Sequence, residues 1–201
     1  MRFVRRAEGR PERLGILSGA FHPPTRAHLA LAQASLDLFE TDEVLFVLPV
    51  KFPHKEYDAV GIPERVSMVL DATSHQPRFS VAPSEGGLFL EIARECREHY
   101  TAATRMRFLC GRDTAERIVA WGYVDHPSIE EQLREYELLV ARRMGAYLPP
   151  SHLEHAIRPL AFEEIYDAIS STEVRRRIAA GEDWQHLVPE AITATVRALY
   201  R

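Results

Sequence analysis

The 201-residue sequence predicts an α/β protein with a Rossmann-like, doubly wound parallel sheet, folded as a single domain over residues 1–201. Short, almost continuous apolar runs that end at glycine, serine or proline alternate with longer amphipathic segments. This alternation of buried strands and helices is typical of a parallel sheet that is covered on both faces. We find no internal repeat and no linker long enough to divide the chain, which favours one domain.

Six strands are predicted from the apolar runs. The first run stops at Ser18 and Gly19, and the fourth stops at Gly111. Val44–Val50 is the clearest strand, because it is apolar throughout and rich in β-branched residues. In chain order, the predicted strands are 14–17, 44–50, 78–82, 106–110, 136–142 and, most weakly, 157–162.

Six helices are predicted between and after these strands. A leucine- and alanine-rich composition favours the first, and Pro63 suits the first turn of the second. The third places Leu88, Ile92 and Cys96 on one face, and Gly181 ends the fifth. In chain order, the predicted helices are 27–39, 63–73, 88–100, 113–121, 170–180 and 189–200.

The composition excludes several classes of protein. Lys and Arg total 25 and Asp and Glu total 29, and this net charge of −4 argues against a general nucleic-acid binder. Two cysteines cannot build a disulfide framework, and no apolar run is long enough to cross a bilayer. The basic N-terminus lacks the apolar stretch of a signal peptide. We therefore expect a cytoplasmic protein without membrane or nucleic-acid partners, and an oligomer of identical chains stays open.

The loops after the predicted strands carry most of the chemically interesting residues. Ligands of open parallel sheets bind beyond the carboxyl ends of the strands, where these loops gather. The loops concerned are 18–28, 50–55, 111–113, 142–145 and 169–175.

The loop after the first strand has the features of a phosphate-binding turn. Gly19 and Ala20 are small enough for backbone N–H groups to approach a phosphate, and a helix begins shortly afterwards. Thr25 and His28 lie three residues apart and face the same side of that helix. An imidazole there can bind charge that develops on a transferring phosphoryl group. A plain helix cap and a polar residue near the core are the alternative interpretations.

The late segment Ile169-Ser-Ser-Thr-Glu-Val-Arg175 is a second candidate anion site. One hydroxyl before a helix is commonly an N-cap. Three in a row, with an arginine one turn into the helix, also offer hydroxyls, free N–H groups and a guanidinium to a phosphate. We favour this role for Ser170, Thr172 and Arg175, whereas the next two arginines are predicted to be solvated surface charges.

Two further loops carry weaker signals. Lys51, His54 and Lys55 place three basic groups after the clearest strand, where they attract phosphates locally or form an ordinary surface loop. Asp113 stands at a predicted helix start, where it stabilises the helix or accepts hydrogen bonds from ribose hydroxyls. Trp121 is predicted to be a core residue.

Together these residues resemble the nucleotidyltransferase superfamily that is marked by a (His or Thr)-x-x-His motif, and within it the nicotinate mononucleotide adenylyltransferase family. Residues 18–28 resemble the family's opening Gly-Gly-(Thr or Ala)-Phe-Asp-Pro-x-His-x-Gly-His pattern. Residues 169–175 reproduce its late Ile-Ser-(Ser or Ala)-Thr-x-x-Arg signature in full. Other segments follow in family order, so the resemblance covers nearly the whole chain.

The resemblance implies a transfer of AMP from ATP onto the phosphate of a mononucleotide, with release of pyrophosphate. Nicotinate mononucleotide is the implied acceptor, which places the reaction in NAD biosynthesis, and Mg²⁺ is implied as an ion that enters with ATP. Carried over position by position, His28, Thr25 and Arg175 are the catalytic residues. The implied ATP-binding residues are Gly19, Ala20, Phe21, Thr25, His28, Ser170, Ser171, Thr172 and Arg175, and the implied acceptor-binding residues are Lys51, His54, Lys55 and Asp113.

Some positions depart from the family pattern. His22 stands where the family usually has Asp, Thr25 replaces the first His, and Ala27 replaces a Gly. Residues 84–90 replace a Ser-Tyr-Thr-x-x-Thr-like stretch that helps to cradle the pyridine ring, and a Glu85 that points inward would disfavour nicotinate. The alternatives are therefore the same chemistry with nicotinamide mononucleotide or phosphopantetheine as acceptor, CTP as donor, or a nucleotide-binding module without catalysis.

Overall fold

Six apolar segments form one parallel sheet in the computed structural model, which describes residues 1–38, 40–50, 60–123 and 125–200. The strand order is β3-β2-β1-β4-β5-β6, and every neighbouring pair is parallel. The predicted Rossmann-like, doubly wound sheet is therefore confirmed. The strands are β1 (Arg13–Ser18), β2 (Glu43–Pro49), β3 (Phe79–Ser84), β4 (Arg105–Gly111), β5 (Glu137–Ala141) and β6 (Ile157–Leu160).

The helices confirm the six predicted ones and add a short one. The added helix is four residues long and begins with a capping box formed by Ser128 and Glu131. No described helix is long and apolar enough to span a membrane. The helices are α1 (Arg26–Asp37), α2 (Ile62–Ala72), α3 (Phe89–Arg97), α4 (Arg112–Ala120), α5 (Ile129–Gln132), α6 (Ser171–Ala180) and α7 (Thr193–Leu199).

The sheet has a hydrophobic core on each face, which explains why the strands are apolar without alternation. Every residue of β2 is buried. Neighbouring residues such as Leu45 and Phe46 belong to different core clusters, because successive side chains of a strand point to opposite faces. A third cluster packs the C-terminal segment, including Trp184 and Val188, against Met68 of α2.

The central strand β1 lies between β2 and β4, where the chain reverses its direction of travel across the sheet. The first three strands form one half of the sheet, with β3 at its edge. The chain then returns to the centre, where β4 pairs with the other side of β1. Loops that leave the two strands at such a reversal diverge and open a crevice at the carboxyl end of the sheet. The loop after β1 and the start of α4 border this crevice.

Both edges of the sheet are protected. The free edge of β3 is covered by the N-terminal segment, since Val4 N–H donates to Val81 O at 2.9 Å and Val81 N–H donates to Arg5 O at 2.8 Å. The Arg5 guanidinium also donates to Thr73 Oγ1 at 2.6 Å. At the other edge, β6 has four residues and includes Pro159. Proline lacks the N–H that a further strand would pair with, and edge strands tolerate it because that position faces solvent.

Candidate active site

A cleft of about 500 Å³ opens at the carboxyl ends of the central strands. It brings together ten of the thirteen predicted site residues, which come from the loop after β1, the start of α4 and the start of α6. The other three, Lys51, His54 and Lys55, lie outside the described residues. The ten residues that line the cleft are Gly19, Ala20, Phe21, Thr25, His28, Asp113, Ser170, Ser171, Thr172 and Arg175.

The turn after β1 is fixed at both ends. Gly19 N–H donates to Val47 O at 3.0 Å and so continues the sheet pairing past the strand. Phe21 has a φ of +47°, a left-handed conformation that a bulky residue adopts only where its surroundings enforce it. Those surroundings are the rings of His28 and Phe46, with centroids 5.1 and 5.7 Å away. The buried Phe21 ring thus holds the turn in place.

His28 is a neutral hydrogen-bond donor in the free protein. Its Nδ1 accepts the backbone N–H of Thr25 at 3.0 Å and lies 2.8 Å from Thr25 Oγ1. Because a peptide N–H can only donate, Nδ1 carries no proton and the neutral ring is protonated at Nε2. Burial, reinforced by the positive charge of Arg143, lowers the pKa of His28 to about 4. At neutral pH the imidazole therefore offers one N–H to the cleft.

The residues of the late signature differ in their contacts. Ser170 is the N-cap of α6, since its Oγ accepts Glu173 N–H at 3.1 Å. Ser171 Oγ donates to Pro23 O at 2.7 Å, and Arg175 Nη1 donates to His22 O at 2.6 Å. Thr172 stays exposed at the cleft. The two predicted phosphate motifs are therefore joined directly.

The two arginines that follow Arg175 confirm the prediction that they are surface charges. Arg176 pairs with Glu173 and Glu182 at 2.8 and 2.7 Å. Arg177 pairs with Glu173 at 2.7 Å, and neither arginine lines the cleft.

His22 is buried among cations. Burial lowers its pKa to about 4, and the positive charges of Arg175 and Arg65 contribute. The Tyr200 ring meets it edge-on at 5.0 Å. Arg65, a buried residue of α2, also donates to Ala20 O at 3.1 Å and so braces the turn after β1. Sequence reasoning missed Arg65, because a single arginine on a helix carries no signal of its tertiary partner.

Cations from the loop after β5 border the cleft beside Asp113. Asp113 is exposed in the first turn of α4, and its Oδ2 lies 3.6 Å from Arg143 Nη1. Arg142 Nη1 forms an ion pair with Glu164 Oε1 at 2.5 Å. Neither arginine was among the predicted site residues, although Arg142 ends a predicted strand and Arg143 follows it, so both lie where that reasoning places ligands.

The segment 84–90 is held by two carboxylates of α3. Glu95 Oε1 accepts Ser84 Oγ–H and Gly86 N–H, both at 2.7 Å. Burial alone would raise the pKa of Glu95, but these hydrogen bonds and the Met1 ammonium, 3.3 Å from Glu95 Oε2, outweigh it, and the pKa lies below its usual value. Glu91 Oε2 accepts the N–H groups of Gly87 and Leu88 at 2.8 and 3.0 Å. The segment is therefore fixed without the threonines of the family pattern.

Glu85 lies outside the cleft. Its side chain is exposed, whereas the following residues Gly87, Leu88 and Phe89 line the cleft. The inward-pointing carboxylate that would disfavour a nicotinate ring is not present in this part of the structure.

Trp121 is not a core residue, so that prediction is wrong. Its side chain is 47% exposed and lines the cleft at the end of α4. Arg117, one turn earlier on the same helix, also lines the cleft and was missed by sequence reasoning. The four-residue spacing of Asp113 and Arg117 places both on one side of α4, and Trp121 follows that helix as its C-cap.

Known proteins are similar to this chain in sequence and in fold. Residues 16–177 match the family model described as cytidylyltransferase-like. A probable nicotinate-nucleotide adenylyltransferase of Moorella thermoacetica is 32% identical, with 96% of this chain and 93% of that protein covered. Another of that name from Thermus thermophilus is 30% identical, covering 94% and 100%. The solved nicotinic acid mononucleotide adenylyltransferase of Plasmodium falciparum, complexed with APC, has a TM-score of 0.68 at 15% identity, covering 94% and 96%.

Proposed function

The chain belongs to the cytidylyltransferase-like family, and we propose that it is an adenylyltransferase that moves AMP from ATP onto the phosphate of nicotinate mononucleotide. Pyrophosphate is the second product. The observation that carries the proposal is the pair of hydrogen bonds from Ser171 and Arg175 to the turn after β1. They bring two phosphate-binding motifs, far apart in sequence, to one cleft beside His28. The names of the relatives agree with this activity.

The reaction needs positioning more than proton transfer. An ionised phosphate oxygen of the acceptor attacks the α-phosphorus of ATP in line, and the bond from that phosphorus to the bridging oxygen of pyrophosphate breaks. The nucleophile is already an anion at neutral pH, so no side chain has to remove a proton from it. Phosphoryl and nucleotidyl transfers of this kind are accelerated mainly by alignment and charge stabilisation.

His28 supplies a fixed donor for the developing charge. Its ring orientation is set by the Thr25 amide at 3.0 Å, so its Nε2–H does not reorganise during the reaction. A phosphate bound beside the ring offsets the burial that lowers its pKa in the free protein. His28 therefore stabilises the transition state as a hydrogen-bond donor, and gains positive character as the anion binds.

The start of α6 suits the pyrophosphate part of ATP. Free N–H groups of its first turn, the Thr172 hydroxyl and the Arg175 guanidinium converge on the cleft. Arg175 Nη1 donates one hydrogen bond to His22 O, and Nη2 lies 3.4 Å from Thr172 Oγ1. The remaining N–H groups of the guanidinium are available to phosphate oxygens. On this basis Arg175 both binds ATP and supports the loop that surrounds it.

Mg²⁺ fits this cleft as an ion carried by the substrate. Within the described residues no three His, Cys, Asp or Glu side chains form a metal cluster, and Asp113 lines the cleft as an exposed carboxylate. Mg²⁺ commonly binds through substrate phosphates, water and one or two carboxylates, and neutralises phosphate charge there. Asp113 would contact it or the ribose hydroxyls, and Asp167, whose Oδ2 accepts Met144 N–H at 3.0 Å, is a second carboxylate of the lining.

The acceptor end of the cleft suits a planar ring. Trp121 exposes about half of its surface there, and the apolar side chains of Leu88 and Phe89 line the same cleft. An exposed indole is a stacking surface for an aromatic ring, which a pyridine mononucleotide has and phosphopantetheine lacks. Contacts of Lys51, His54 and Lys55 with the acceptor phosphate, a cytoplasmic location and a homo-oligomer stay predictions from the sequence.

A pyrophosphate-release assay tests the proposal. The purified protein is incubated with ATP and Mg²⁺ and with nicotinate mononucleotide, nicotinamide mononucleotide, phosphopantetheine or no acceptor, and CTP replaces ATP in parallel. We expect ATP-dependent release with a pyridine mononucleotide and formation of the matching dinucleotide. ATP binding without release for every acceptor would instead support a nucleotide-binding module and contradict the proposal.

A further inference from the structure

We propose that Arg117 recognises the ring carboxylate of the acceptor and thereby selects nicotinate mononucleotide over nicotinamide mononucleotide. The proposal rests on the proposed function and assigns the selectivity to one residue of α4. The supporting observation is which hydrogen-bond donors around the acceptor end of the cleft already have a partner and which do not.

Arg117 has no carboxylate partner among the described residues. Its guanidinium donates only to its own helix, to Asp113 O at 3.3 Å and to Thr114 Oγ1 at 3.4 Å. Both contacts are long, and the side chain is exposed at the cleft. Arg117 is therefore a cation that a ligand can pair with at little cost, since no existing ion pair has to be broken.

The other described arginines that line the cleft are already engaged. Arg142 is paired with Glu164, and Arg143 lies 3.6 Å from Asp113. Arg175 supports the turn after β1 at the opposite motif. A carboxylate at the acceptor end would have to compete with these partners, so among the described arginines of the cleft Arg117 is the one without such a competitor.

The backbone N–H groups of residues 86–88 are also occupied. The N–H groups of Gly87 and Leu88 already point at Glu91, and Gly86 N–H points at Glu95. An acceptor carboxylate therefore cannot use the amides of this loop without displacing one of those carboxylates, which are themselves anions.

Two other polar side chains of the cleft wall are likewise used internally. Tyr123 Oη donates to Ile118 O at 3.0 Å, and Gln132 Nε2 donates to Pro127 O at 2.8 Å. Tyr123 cannot donate to a carboxylate without giving up its present partner, whereas the Gln132 amide has a second N–H.

The position of Arg117 fits an aromatic carboxylate in particular. Trp121 follows the last residue of α4 as its C-cap, four residues after Arg117, and both residues line the cleft. A ring that stacks on the indole places a ring substituent near the preceding turn. A carboxylate there forms a charge-assisted, bidentate pair with the guanidinium, whereas a neutral carboxamide does not.

The test compares Arg117→Gln, Arg117→Lys and the wild-type protein, with Arg134→Gln as a matched control. Arg134 is an exposed arginine outside the lining of the cleft. Steady-state kcat/KM is measured for both mononucleotides, and calorimetry gives the Kd of each, so selectivity is measured even if one compound turns over too slowly. Thermal melting checks that the variants are folded.

We expect Arg117→Gln to lower the preference for nicotinate over nicotinamide mononucleotide about tenfold, the scale of one hydrogen-bonded charge at a partly exposed site. Arg117→Lys keeps the charge and should retain part of the preference, and Arg134→Gln should match the wild type. An unchanged preference, or an equal loss for both mononucleotides, would overturn the role of Arg117 while the wild-type turnover still supports the proposed function. A wild-type protein that binds neither mononucleotide would overturn both proposals.

Discussion

The two ends of the cleft are built in different ways. At the phosphate end, residues from distant parts of the chain brace one another, since Ser171 and Arg175 of α6 reach the turn after β1. At the acceptor end, a single loop is held by the helix that immediately follows it, through Glu91 and Glu95. The phosphate end therefore depends on contacts between distant parts of the chain, whereas the acceptor loop depends mainly on the helix that follows it, with one long-range ion pair between the Met1 ammonium and Glu95 Oε2 at 3.3 Å.

At the phosphate end the late signature 169–175 is complete and the first motif keeps His28 with three substitutions, whereas the acceptor loop 84–90 lacks the family pattern altogether. The phosphate end serves the step shared by all acceptors, and its residues are constrained both by chemistry and by long-range packing. The acceptor loop is fixed locally, so it can change its sequence without disturbing the phosphate end. Substitutions at the two ends should accordingly produce different kinetic effects.

The largest effect is expected at the phosphate end, from His28→Ala. Loss of a fixed donor to the transition state should lower kcat roughly 10²-fold or more. Both pyridine mononucleotides should be affected alike, because the lost contact serves the transferred phosphoryl group. Steady-state kinetics at saturating substrate measure this, with melting temperature as the check on folding. Near-normal turnover would show that His28 is not the stabilising group.

The next effect is expected from Arg175→Ala. The variant loses a phosphate contact and the bond to His22 O, so the KM for ATP should rise about tenfold or more, on the scale of one charged hydrogen bond. Arg176→Ala is the matched control, because Arg176 pairs with Glu173 and Glu182 outside the cleft. Isothermal calorimetry with ATP checks the same change without turnover. An unchanged Kd for ATP would remove Arg175 from the binding site.

At the acceptor end, Glu95→Ala should act on one substrate only. It removes the acceptor of the Ser84 and Gly86 hydrogen bonds, so the KM for the mononucleotide should rise roughly three- to tenfold. The KM for ATP should change by less than about twofold, because the brace at the phosphate end is intact. Glu85→Ala is the control within the same segment. Equal effects on both substrates would contradict the local character of this end.

The smallest effect is on stability and concerns His22 and His28 together. Both pKa values are about 4 in the folded protein and about 6.5 in the unfolded chain. Between these values the unfolded chain binds more protons, so this contribution to stability is complete above pH 6.5 and is lost as the pH falls towards 4. We expect each imidazole to lower the free energy of unfolding by about 1 kcal/mol between pH 7 and 5.5.

Urea unfolding at the two pH values measures that change. His22→Asn should make the free energy of unfolding less dependent on pH. His75→Asn, at an exposed histidine, is the control and should not change that dependence. For each variant we compare the free energy of unfolding at the two pH values, so a loss of stability that is equal at both does not affect the comparison. An identical pH dependence in His22→Asn would show that this imidazole does not contribute.

Most of the fold could be predicted from the sequence because its signals are local. Runs such as β2 are apolar at almost every position, and a glycine ends α6 in a left-handed conformation with φ of +68°. The short helix α5 was missed, because four residues are too few for a periodic pattern. The phosphate end was predicted because each of its motifs is contiguous and follows a strand or starts a helix.

What the sequence did not reveal depends on tertiary contacts. Whether Trp121 is buried depends on what packs against the end of α4, and the pattern of α4 itself does not determine this. The bonds of Arg65 to the turn after β1, and of Glu95 to its own loop, join residues whose spacing suggests no relation. The contacts of such residues can be recognised only when the sheet order and the helix orientations are known.

The protected edges of the sheet have a consequence for self-association. An open strand edge recruits further strands, and this is the usual route to edge-to-edge aggregates. Here the segment that includes Val4 and Arg5 occupies the outer edge of β3, while the short β6 with its Pro159 offers few donors for pairing. Copies of this chain that associate would accordingly meet through helices or loops, and a variant that loses residues 1–8 would uncover the β3 edge and become prone to aggregate.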